Sequence, residues 1–141
     1  MTESRMRLAL TVLGVTQLLI GAWLAIDPDS FVDEIAPYGP ADHHFLRDLA
    51  TFQAGIGIAL LAAVGRPGWR VPVLFAAFAQ SALHTINHVF DIGGTDPGWL
   101  GPANFVSLLL LTGAFAFLMQ EAAADSREPT TRSRTSERMP A

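Results

Sequence analysis

The chain contains no cysteine and no lysine. The first absence removes disulfides, thiolate metal sites and cysteine nucleophiles together. The second leaves arginine to carry all nine basic charges. Charged residues make up only 16% of the chain against 50% hydrophobic, and the formal net charge is −4. With no basic cluster to set against that balance, nucleic acid is not an expected partner. No internal repeat and no domain break interrupts the 141 residues, a length that suits one domain.

What the chain does hold is apolar sequence in long runs. Four blocks, 6–26, 45–64, 71–92 and 103–120, are each long enough to cross a hydrocarbon core of ~30 Å at ~1.5 Å per residue. The first follows Arg5 and Arg7. It is too long for a signal-peptide core and has no small-x-small cleavage site before Asp27, so it reads as a retained helix. Leu10, Gly14, Gln17 and Gly21 share one of its faces, where the glycines admit a neighbouring backbone and Gln17 offers an amide across it.

The loop 27–44 carries five acids and no arginine. A short helix over 30–36 is expected inside it, with Phe31, Val32 and Ile35 as an apolar side and Tyr38 as an interfacial anchor. Two arginines flank the first block, two lie in the 65–70 link and four in the tail, whereas 27–44 and 93–102 have none. By the positive-inside rule both termini are then cytoplasmic. The expectation is an all-α fold: a four-transmembrane-helix bundle over 1–120, multi-pass in the cell membrane, followed by a disordered tail over 121–141 whose composition cannot build a core.

Polar residues gather in one region of that plan. On the third block Gln80, His84, Asn87, His88 and Asp91 fall within an arc of roughly 100°. On the second, His43, His44, Arg47 and Asp48 share one side, with Gln53 and Gly57 roughly opposite. The fourth opens with Asn104. Threading the helices places all four histidines, Arg47, Asp48, Asp91 and Asn104 toward the extracytoplasmic side, with Gln17, Gln53 and Gln80 nearer mid-membrane as interhelical contacts. Crowding of such costly groups points to a functional site. His84 and His88, four residues apart, can reach one ion, and Asp91 can add an oxygen; imidazole and carboxylate together suit Zn, Fe or Cu. Haem would need a second axial ligand from the second helix. Equally, the cluster can serve to stitch three helices together, with His43–His44 a solvated helix start capped by Asp42, or to relay protons or hold a quinone. Di-iron boxes need more histidines than this chain has, and ceramidase-type zinc hydrolases have more helices.

The run His43-His44-Phe45-Leu46-Arg47-Asp48, followed by His84-x3-His88 and by Asn104, resembles a family of small actinobacterial membrane proteins and, more loosely, DoxX-like proteins. The resemblance covers residues 6–120 and marks His44, Arg47, Asp48, His84, His88 and Asn104 as motif positions. His43 stands where that pattern has Glu, so no carboxylate role carries over. It supports the architecture and implies no activity. The leading expectation is a membrane protein that is not an enzyme, its cluster binding an ion, a small molecule or a partner. The lipid bilayer is its first partner, with a second copy of the chain or another membrane protein as candidates. The rival expectation is a redox or hydrolytic enzyme built on a His/Asp metal or haem site.

Overall fold

The structure, a computed structural model, describes residues 1–39 and 42–127. These form five helices: α1 (Glu3–Ile26), α2 (Pro28–Glu34), α3 (His43–Val64), α4 (Pro67–Asp91) and α5 (Leu100–Arg127). The all-α expectation fits. The four-transmembrane-helix bundle does not: there are five helices, of which three, α1, α3 and α5, are long and apolar enough to cross a membrane. The helix that falls short is α4, whose 25 residues include Arg70, Gln80, Ser81, His84, Thr85, Asn87, His88 and Asp91. Its length is sufficient, and its polar stripe is what lowers its hydropathy.

Helix boundaries follow local chemistry. Asp27 caps α2 by accepting from Ser30 N, with Pro28 at the first position, where a missing N–H costs nothing. Asp42 caps α3 by accepting from the His44 and Phe45 amides at 3.0 and 3.1 Å. Helix α4 begins at Pro67, earlier than the expected 71, which leaves Pro72 inside the helix. Helix α5 continues to Arg127, so residues 121–127 of the expected disordered tail are helical; 128–141 lie outside the described residues.

The long helices pack as two close pairs, α1 with α3 and α4 with α5, joined chiefly by α3 against α4. The α1–α3 pair is tight because glycines let the two backbones approach along its seam. A Cβ on Gly57 would stand 2.8 Å from Gly14 O, and one on Gly21 3.0 Å from Ala50 O. Beside them Gln53 Nε2 donates to Gln17 Oε1 at 2.6 Å. The α4–α5 pair is joined by hydroxyls instead: Ser81 Oγ and Thr85 Oγ1 lie 2.8 and 3.0 Å from Thr112 Oγ1. All four long helices meet in one apolar cluster, to which Met6, Leu10, Leu60, Leu74, Phe115 and Leu118 contribute. Opposite that end, Trp23 packs edge-on to Phe31 at 5.4 Å and seats α2 against the last turn of α1.

The bundle therefore has two distinct ends. At the basic end, Arg70 is buried and reaches Glu3 with both terminal nitrogens, at 2.7 and 2.6 Å, while one of them also donates to Val64 O at 3.3 Å. Its Nε has no hydrogen-bond partner. Much of the outer surface is apolar: Leu8, Leu19, Phe52, Ile58, Phe75, Leu83, Leu110 and Phe117 are all exposed, from 56 to 69% in all but Leu110 at 70%. A surface of that composition is compatible with a membrane protein.

Candidate functional site

The opposite end is built on the last two turns of α4. A helical spacing of four residues puts His84 and His88 one above the other, and their Nε2 atoms face each other at 3.1 Å. The rings are 4.8 Å apart and tilted by 53°. A bond between two Nε2 atoms needs one N–H and one lone pair, so the two imidazoles hold complementary tautomers around a single shared proton. Both side chains are half-buried.

The other nitrogen of His88 is held as well. Its Nδ1 lies 3.1 Å from the hydroxyl of Tyr38, whose ring meets the imidazole edge-on at 5.3 Å. Tyr38 sits in the segment after α2, and Asn104 Nδ2, from the first turns of α5, donates to Ile35 O at 2.6 Å and to the Tyr38 hydroxyl at 3.4 Å. One hydrogen-bonded chain thus runs from Asn104 through Tyr38 to His88 and His84, spanning α5, the 35–39 segment and α4. Tyr38 also lines a shallow open cleft of about 270 Å³ with Val32, Ala36, Asp42, Phe45 and Leu46.

The α5 end of this site is itself rigidly built. Thr95 is buried, donates to Pro97 O at 3.1 Å and accepts from Gly101 N at 2.9 Å. A Cβ on Gly101 would stand 2.2 Å from Ile92 O, so only glycine lets the 92–101 turn close onto α5.

The α3 residues expected in the same cluster turn elsewhere. His43 Nε2 lies 2.6 Å from Asp29 Oδ1 of α2, and His44 Nε2 lies 3.5 Å from Asp48 Oδ2 one turn along its own helix. Arg47, Asp48, Asn87 and Asp91 are exposed, and Gln80 is half-buried on α4. Among the described residues no group of three or more His, Asp or Glu side chains is placed to hold a metal ion, so Asp91 does not complete a shell with His84 and His88.

Tyr38 is the member that sequence reasoning passed over, having assigned it only to the interface. Its signal was its singularity: it is the one tyrosine of the chain. The Glu3–Arg70 pair and the Ser81–Thr85–Thr112 seam were also missed. No family model, no curated protein and no solved structure matches this chain.

Proposed function

We propose that this chain is a multi-pass protein of the cell membrane that binds an ion or a small polar molecule at the Tyr38–His88–His84–Asn104 end of its bundle. The observation that carries the reading is the pair of 3.1 Å contacts at His88, one to each ring nitrogen. They fix the imidazole in place and leave the pair able to accept or release one proton. Such a centre suits reversible binding. The end bearing Arg5, Arg7, Arg66 and Arg70 faces the cytoplasm in this reading, since arginine-rich segments stay inside. The relationship to small actinobacterial membrane proteins belongs to the same proposal and rests on His44, Arg47, Asp48, His84, His88 and Asn104.

A second reading has its own support. Asn104 to Ile35 O and Tyr38 to His88 tie the 35–39 segment to α5 and α4, which is a stitching role. Nitrogen-15 spectra of histidine-labelled protein in nanodiscs test the binding reading. The binding reading expects the His84 and His88 rings to titrate together as a pair that shares one proton, with Tyr38→Phe shifting His88 and leaving His43 and His44 unchanged. Four histidines titrating independently would sink it.

A further inference from the structure

We propose that His84 and His88 form a two-nitrogen chelate for a divalent transition-metal ion of the zinc, nickel or cobalt class, with the remaining positions open to water or an external ligand. This inference rests on the binding reading above and names its ligand class.

The geometry is that of a preformed bite. Metal–imidazole bonds are about 2.0–2.1 Å long. Two donors of a shell with bonds of that length stand about 2.9 Å apart when at right angles and about 3.4 Å apart when tetrahedral. The Nε2–Nε2 separation of 3.1 Å lies between these. Histidine ligands usually pass their other ring N–H to a fixed acceptor, which orients the ring and raises its basicity. Tyr38 Oη stands 3.1 Å from His88 Nδ1 in that position, and Asn104 holds the hydroxyl from the other side.

Binding is a ligand exchange that balances without any redox step. The proton shared between the two Nε2 atoms leaves that position, and the ion takes both lone pairs. If His88 holds that proton, it moves to His88 Nδ1 and the Tyr38 hydroxyl turns from donor to acceptor; if His84 holds it, it moves to His84 Nδ1 and the Tyr38 hydroxyl remains the acceptor of His88 Nδ1–H. A pair that starts with one ring as imidazolium releases its extra proton to solvent. Since no third His, Asp or Glu is in position among the described residues, the shell is completed from outside the protein, and the ion is exchangeable.

The test is calorimetric titration of zinc or nickel into the full chain in detergent, purified without a polyhistidine tag, paired with the cobalt(II) visible spectrum. The expected result is one ion per chain, with Nε2 shifts confined to His84 and His88 in the nitrogen-15 spectrum. His88→Gln and His84→Gln should each abolish it. Tyr38→Phe should weaken it by about tenfold, as loss of a ligand's outer partner does, and His43→Gln with His44→Gln should leave it intact. Binding that survives the His84→Gln/His88→Gln double variant, or that vanishes with His43 and His44, overturns the proposal. So does a wild-type chain that takes up no ion and gives cobalt no spectrum. In that last case, a persisting shared-proton signature at His84 and His88 leaves the broader reading of the site standing.

Discussion

Glycine at position 101 illustrates how much of the site depends on single atoms. Its absent Cβ allows the Ile92 carbonyl to approach, and its amide is held by the buried Thr95 hydroxyl. Both neighbours are fixed, the first being backbone, so a methyl group cannot be relieved by a side-chain rotation. Gly101→Ala is therefore expected to destabilise the 92–101 turn by about 2–3 kcal/mol, in the range for overpacking. The first turns of α5, with Asn104, should be displaced with it. Thermal unfolding in detergent and the Tyr38–His88 contact, followed by histidine resonances, report the two effects; a variant that melts like the parent refutes the close approach. The His84–His88 pair belongs at this scale too. That the two residues share a helical stripe is legible from their spacing. That their nitrogens face each other, and that Tyr38 holds the second nitrogen of His88, depends on rotamers that no spacing reveals.

Among the helices, α1 and α3 owe their closeness to Gly14, Gly21 and Gly57, and the contrast between Gly57 and Gly55 makes the point quantitatively. The two lie on opposite faces of α3: a Cβ on Gly57 meets Gly14 O at 2.8 Å, whereas one on Gly55 meets nothing within 4 Å. Gly57→Ala should cost about 1–3 kcal/mol by forcing the backbones apart, and should lengthen the Gln17–Gln53 bond. Gly55→Ala removes a weak helix former from an open position and should stabilise by up to about 1 kcal/mol. Shifts of opposite sign in unfolding temperature, the larger for Gly57→Ala, would support this; equal losses from both would place Gly55 in a contact with another molecule. The small-residue face of α1 and the opposite placement of Gln53 and Gly57 were readable from a 3.6-residue period. The α4–α5 seam was not, because Ser81, Thr85 and Thr112 look like ordinary scattered hydroxyls until two helices bring them together.

At the scale of the whole molecule, the two ends differ in kind. One buries Arg70 against Glu3 beneath a four-helix apolar cluster, and the other exposes Asp29, Asp33, Asp42 and Asp91 around the histidine chain. The proposed orientation follows from the arginines gathered at the first of these ends. Because the chain has no cysteine, single cysteines can report it without background labelling. Asp96→Cys, in an exposed turn at the histidine end, should react with an impermeant maleimide in spheroplasts, and Gly65→Cys, exposed at the basic end, only after permeabilisation. The reverse pattern would invert the protein in the membrane and place the histidine chain inside.

By itself the sequence determined that the fold is all-helical, roughly where each long helix runs, and that Asp42 caps α3; its expectation of four membrane spans was one too many, because the polar stripe of α4 lowers that helix's hydropathy. These are local properties, set by hydrophobic period, capping chemistry and run length, and each can be read over a few turns of one helix. Tertiary structure decided which polar groups meet. It sent His43 to Asp29 on α2, away from the other histidines. It brought Tyr38 from a loop onto His88, and left Asp91 outside the pair. The physical reason is reach. A hydrogen bond is made or lost over tenths of an ångström, while threading helices through a bundle places a residue only to within a turn, about 5 Å.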